Sequence, residues 1–138
     1  VVLLLVIQVI PYGRSHTNPA VTREPAWSSP ETAQLARVAC YDCHSDEVVW
    51  PWYSNVAPVS WVVQLDVEQG RQLLNFSEFD KAQPRAAGAA GQVRSGSMPP
   101  IYYTPIHPPA QLDATQRATL AAGLAATLGD RPSTGGGG

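Results

Sequence analysis

Two cysteines and a histidine lie close together in the sequence Cys40-Tyr41-Asp42-Cys43-His44. The spacing Cys-x-x-Cys-His is typical of covalent haem attachment, because the two thiols can form thioether bonds to the two vinyl groups of a porphyrin. The histidine that follows is then placed to bind the iron as the proximal ligand. We therefore predict one haem c per chain, attached at Cys40 and Cys43, with His44 as an iron ligand.

Three other roles for this motif fit the sequence less well. A structural zinc site needs about four Cys or His ligands, whereas the chain has two cysteines and three histidines, and His16 and His107 lie at no familiar zinc spacing. A thioredoxin-like redox pair requires a βαβ context, of which the sequence gives no sign. A disulfide across two intervening residues would close too small a loop to constrain the chain much. A disulfide or a redox pair is the main alternative to haem attachment.

The sequence contains one methionine, Met98, which precedes Pro99 and Pro100. A thioether is a soft ligand for haem iron and raises its reduction potential, and two prolines hold a loop without regular hydrogen bonds. We therefore predict that Met98 is the distal iron ligand. The alternatives are His107 as the ligand, in another proline-flanked segment, and a methionine that only fills a gap in the core.

The loop that follows the cysteine motif, residues 45–58, contains aromatic side chains that can pack on a haem and hydrogen-bond its propionates. The predicted haem contacts in this loop are Trp50, Trp52 and Tyr53, with ordinary core packing as the alternative. A ligating histidine usually donates its second ring N–H to a nearby acceptor. For His44 we expect the carbonyl of Pro51 or Pro58 in this role.

The first ten residues are almost entirely apolar, and Pro11 follows them. As a helix they span about 15 Å, half of a bilayer core, and the chain begins without Met. Tyr12 and Arg14 suit a membrane interface. We therefore expect residues 1–12 to be the end of an N-terminal transmembrane helix, with a signal peptide or a buried strand as alternatives.

Helix signals recur through the remaining chain, over residues 29–39, 59–74, 84–94 and 113–129. Ser29 is suited as an N-cap, and Asp113 with Gln116 forms a capping box. Small residues on the last helix, including Gly123, predict a close approach by the helix that carries the cysteines.

Composition agrees with one small domain rich in loops, since 13 of the 138 residues are Pro and 11 are Gly. The predicted organisation is a linker over residues 13–28, a haem c-binding domain over 29–129 and a flexible tail over 130–138. The fold class is all-α, with short helices and long Pro-rich loops around one haem, preceded by the transmembrane helix. A net charge of −2 argues against nucleic-acid binding.

The sequence resembles monohaem c-type cytochromes and, more narrowly, the small haem-binding domain family of bacterial membrane-anchored proteins. The likeness is carried by the cysteine motif, by Met98 with its two prolines, by the capped last helix and by residues 10–14, 50–55, 57–61 and 74–78. It implies a cytochrome c-like domain, His44 and Met98 as iron ligands and an anchored position on the periplasmic side of the bacterial cytoplasmic membrane. The Ala/Gly-rich stretch 86–91 departs from this pattern.

Two classes of function follow from these features. The first is an electron carrier that serves a membrane electron-transfer complex or another redox protein. The second is a haem domain that binds or senses a ligand, in which Met98 is displaced. An enzyme such as a dihaem peroxidase is not expected, because the sequence has a single haem-attachment motif.

Overall fold

The computed structural model describes residues 1–131, and its regular elements are six α-helices and several 3₁₀ turns. The helices are α1 (Val2–Val6), α2 (Pro30–Ala39), α3 (Tyr41–His44), α4 (Val59–Leu73), α5 (Ala89–Arg94) and α6 (Ala114–Leu128). The 3₁₀ turns are Ile7–Val9, Trp52–Asn55, Ala86–Gly88, Thr104–Ile106 and Pro108–Ala110. Among residues 1–131, the only β-type pairing is one isolated bridge between Arg23 and Glu78. The described chain is therefore all-helical, with long loops between its helices.

The N-terminal segment contradicts the predicted transmembrane helix. Helix α1 and the 3₁₀ turn after it cover eight residues, which span about 12 Å against about 30 Å for a bilayer core. Ile10 is extended, as a residue before proline usually is, so the helix does not continue. Among residues 1–131, no helix combines the length and the apolar character that crossing a membrane requires. The predicted single-pass anchoring at the periplasmic side of a membrane is contradicted by the same finding.

Instead, the N-terminal segment is hydrogen-bonded to the residues just before α4. The Gln8 side chain donates to the Ala57 carbonyl (2.9 Å) and accepts from the Ala57 N–H (3.0 Å). Gly13 has a φ of +85°, and a Cβ at this position would overlap the carbonyl oxygen of Ser60. The close approach to Ser60 requires a glycine at position 13, and all of these contacts hold the segment against the domain.

Residues 13–28, the predicted linker, have no helix, but they run along the surface of the domain. The N–H of Arg23 donates to the Ser77 carbonyl at 3.1 Å, and Trp27 packs on Phe76 with the ring centres 5.2 Å apart. The segment is therefore part of the domain's packing.

Helices α2 and α6 form the centre of the core, and both begin at the predicted caps. The Ser29 hydroxyl accepts from the Thr32 N–H, and Asp113 with Gln116 completes a capping box. At their crossing a Cβ on Gly123 would overlap the Thr32 side chain, which confirms the predicted close approach. Around this crossing lie the fully buried side chains Phe76, Leu120 and Leu124.

The chain after α6 turns back toward α5. Asp130 forms two hydrogen bonds with the Arg94 guanidinium, at 2.9 and 2.7 Å. The N–H of Arg131 donates to the Ala87 carbonyl at 2.8 Å. Residues 132–138, the rest of the predicted tail, lie outside the described residues.

Candidate functional site

A cavity of about 670 Å³ opens between the cysteine motif, α4, α5 and the loop that follows α5. Its wall contains the four residues that sequence reasoning assigned to haem attachment and ligation: Cys40, Cys43, His44 and Met98. Much of the remaining wall is hydrocarbon, from side chains such as Leu73, Leu74, Phe76, Val93 and Leu124. The fold therefore brings together residues that are up to 58 positions apart in the sequence.

The His44 ring is oriented by the end of α4. Its Nδ1 lies 2.9 Å from the Gly70 carbonyl oxygen and 3.0 Å from that of Leu74. Both partners are acceptors, so Nδ1 carries the hydrogen and Nε2 keeps the lone pair with which imidazole binds a metal. Burial lowers the pKa of His44, which favours the neutral ring. The expected partners Pro51 and Pro58 do not contribute, because the Nδ1 hydrogen is shared by the Leu74 carbonyl and by the Gly70 carbonyl, which also accepts from the Leu74 N–H.

Gly70 allows this arrangement. A Cβ at Gly70 would overlap the Cys43 carbonyl oxygen, so only glycine lets the α4 backbone lie directly on α3. A glycine inside a helix costs about 1 kcal/mol relative to alanine, a cost that here permits close packing. In the sequence, a glycine on the apolar face of a predicted helix is the feature that indicates such close packing.

The two cysteines are free thiols in the cavity wall. Burial raises the pKa of Cys40 to about 12, and a thiolate at Cys43 would raise that pKa further. Burial also raises the pKa of Cys43 to about 12, with further contributions from the negative charges of Asp66 and Asp42. Both side chains are therefore neutral thiols at pH 7 in the structure.

Met98, which also lines the cavity, is held through its backbone. Its N–H donates to the Gln92 carbonyl at 3.2 Å. Its carbonyl accepts from Nη1 of Arg117 at 3.3 Å, and the same nitrogen donates to the Val93 carbonyl at 3.2 Å. Arg117 on α6 thus links the methionine loop to the end of α5.

The rival ligand His107 has both ring nitrogens engaged elsewhere. Its Nδ1 donates to the Tyr103 carbonyl at 2.9 Å, and its Nε2 accepts from the Tyr53 hydroxyl at 3.0 Å. The ring stacks on Tyr103 with the centres 3.7 Å apart. His107 does not line the large cavity.

The three aromatic residues predicted to contact haem lie outside the wall of the large cavity. Trp50 stacks on His16 at 4.7 Å, Trp52 is 79% exposed, and Tyr53 bonds to His107. The 3₁₀ turn at Trp52–Asn55, which carries two of these residues, packs against α4.

Two other tyrosines, which the sequence reasoning missed, line the cavity close after the methionine. The Tyr103 hydroxyl donates to Asp42 at 2.6 Å, and the Tyr102 hydroxyl donates to Asp66 at 3.3 Å. Both bonds connect the methionine loop to the side of the cavity that carries the cysteines. Their position just after Met98 and its two prolines is the sequence feature that could have identified them as cavity residues.

The chemistry of these donors fits a haem. Within residues 1–131, no group of three or more His, Cys, Asp or Glu side chains converges as an ion site. One imidazole, one thioether and two thiols share an apolar cavity instead, which suits an iron whose other four ligands come from a porphyrin. His44 and Met98 would supply the axial ligands, and the two thiols the covalent links.

Comparison with known proteins identifies one family. A family model described as a haem-binding domain matches residues 2–126, a span that includes both cysteines, His44 and Met98. Comparisons with curated proteins and with solved structures give no significant match.

Proposed function

The chain belongs to this haem-binding domain family, and from that premise we propose that it is a monohaem c-type cytochrome that carries single electrons. In the proposal Cys40 and Cys43 hold the haem through thioether bonds, and His44 and Met98 are the axial ligands. The bound haem supplies an iron that changes between the ferric and ferrous states by one electron.

The observation that carries the proposal is the shared cavity of the motif and the methionine. The Gly70 and Leu74 carbonyls hold the Nδ1 hydrogen of His44 and leave Nε2 for iron. Met98 comes from a loop that is 54 residues further along the chain. A thiol pair without haem would not need a thioether and an oriented imidazole in the same apolar cavity.

Two axial ligands from the protein favour electron transfer over ligand sensing or catalysis. With both positions filled, a gas or a peroxide has no vacant site on the iron, so we propose no enzymatic reaction for this chain. The expected partner is another redox protein. Sensing remains the second hypothesis, and ready binding of carbon monoxide would favour it.

Covalent attachment can be tested by mass spectrometry of the denatured holoprotein. The wild-type chain should carry the mass of one haem, because thioether bonds survive unfolding. Cys40→Ser and Cys43→Ser should each leave at most one thioether, and the double variant should retain none. Extraction of the haem from wild-type protein by acidified acetone would contradict the proposal.

A further inference from the structure

The charged side chains of the cavity wall form two groups of opposite sign. Asp42 and Asp66 lie beside Cys43, and their negative charges help to raise the pKa of its thiol. Each also accepts a hydrogen bond from a tyrosine of the methionine loop, Tyr103 or Tyr102. The cysteine end of the cavity is therefore acidic.

The second group consists of Arg85 and Arg131, which also line the cavity. Backbone contacts place them together, since the N–H of Arg131 donates at 2.8 Å to the carbonyl of Ala87, in the turn that follows Arg85. The ion pair between Asp130 and Arg94 holds the chain just before Arg131. The backbone of Arg131 thus lies beside the turn that follows Arg85, and both arginines contribute to the cavity wall.

These arginines are available to a ligand. Among residues 1–131, neither Arg85 nor Arg131 forms an ion pair with Asp42, Asp66 or any other carboxylate. Gly88, which also lines the cavity beside this turn, has no atom within 4 Å of the position that a Cβ would take. The cavity wall beside this turn therefore has open space.

We propose that Arg85 and Arg131 bind the two propionate carboxylates of the haem, an inference that rests on the proposed function. The thioether bonds at Cys40 and Cys43 hold the vinyl edge of the ring at the acidic end. Like charge disfavours carboxylates there, whereas a guanidinium group forms strong, often bidentate, hydrogen bonds with a carboxylate. The arrangement of charges and the covalent links therefore select the same orientation of the ring.

The test uses holoprotein with Arg85→Gln, Arg131→Gln or both. The matched control is Arg23→Gln, an exposed arginine outside the cavity wall. Two quantities are measured: the midpoint potential from pH 5 to 9, and the propionate bending band in the resonance Raman spectrum. Arg85→Lys is a further variant that keeps the charge but loses the planar fork.

Loss of each guanidinium group should lower the potential, because less positive charge near the iron favours the ferric form. The proton affinity of the carboxylates should rise by about tenfold, so the pH-dependent region of the potential moves toward neutral pH, and the bending band should shift. Arg85→Lys should shift the band with a smaller change in potential, and Arg23→Gln should change neither quantity.

An unchanged bending band in the double variant would overturn the proposal, even if the potential falls, because charge alone can change a potential. Failure of the proposed function would differ, since wild-type protein would then lack the covalent haem mass or axial ligation by methionine. Variants that retain both properties but show a wild-type band refute the arginine assignment alone.

Discussion

The cavity holds its two proposed iron ligands in different ways. On the proximal side His44 lies on α3, which packs directly on α4 at Gly70, and two carbonyls hold the imidazole. Met98, the proposed distal ligand, is held by two hydrogen bonds of its backbone. Its N–H donates to the Gln92 carbonyl, and its carbonyl accepts from the Arg117 side chain. The residues after its two prolines include Ile101, which is 87% exposed.

This difference determines how easily each of the two residues can shift. The proximal ligand cannot shift unless two helix backbones separate, because no side chain lies between them at Gly70. The distal loop can shift when hydrogen bonds worth about 1 kcal/mol each are lost. Proximal substitutions should therefore impair folding and haem attachment, whereas distal substitutions should change coordination in a protein that still folds.

The largest effect is expected for Gly70→Val. The new side chain must displace the Cys43 backbone, which should cost about 3 kcal/mol of stability and prevent most of the haem attachment. The yield of holoprotein and urea unfolding measure both effects. Gly91→Ala is the control, because a Cβ there meets no atom within 4 Å. Normal attachment in Gly70→Val would show that close helix packing does not position His44.

Met98→Ala should change the coordination of the iron without loss of the fold. We expect a lower potential, fast binding of carbon monoxide by the reduced protein and a loss of stability of about 2 kcal/mol or less, since the side chain is half-buried. His107→Ala is the matched control and should keep six-coordination, because His107 bonds to tyrosines. If His107→Ala abolishes six-coordination instead, the distal ligand is misassigned.

Arg117→Ala should have a smaller effect on the same side. The substitution removes the bonds to the Met98 and Val93 carbonyls, which should lower stability by about 1 kcal/mol. The methionine should remain bound but exchange faster, so carbon monoxide should bind at a rate between those of wild type and Met98→Ala. Arg117→Lys can keep one bond and should recover part of the wild-type rate. A wild-type rate in Arg117→Ala would show that this bond does not hold the loop.

The smallest effect on stability is expected for a substitution at Asp66, which accepts a hydrogen bond from Tyr102 in the methionine loop. Burial raises the pKa of Asp66, although the bond from Tyr102 opposes the shift. The folded state therefore binds the proton more tightly than the unfolded chain does, and wild type loses stability as the pH rises from the unfolded value near 3.8 through the folded pKa.

Asp66→Asn keeps an acceptor for Tyr102 and removes this titration. As the pH rises from 4 to 7, the free energy of unfolding of the variant should increase slightly relative to that of wild type. Urea unfolding of the two holoproteins at each pH measures this difference. A stability difference that does not change with pH would exclude Asp66 as the titrating group.

Local signals in the sequence predicted the features that depend on a few neighbouring residues. The helix starts at Ser29 and Asp113 could be predicted because a cap bonds to N–H groups three residues away. The partners of His44 could not, because Gly70 and Leu74 lie 26 and 30 residues further along the chain. Only the packing of α4 on α3 brings these carbonyls to the ring.

The predicted transmembrane helix was wrong, and the position of the aromatic loop could not be foreseen, for a similar reason. An apolar run has the composition of a membrane helix, but composition does not reveal that Gln8 pairs with both backbone groups of Ala57. Likewise, the sequence of Trp52 and Tyr53 does not show that their turn packs against α4.

The most direct test of the central claim is the absorption spectrum of wild-type holoprotein, oxidised and then reduced under carbon monoxide. If His44 and Met98 are both bound to the iron, the oxidised protein should show the far-red band of sulfur-to-iron charge transfer. The reduced protein should then bind carbon monoxide slowly. An oxidised spectrum without that band, together with rapid binding of carbon monoxide, would contradict the account.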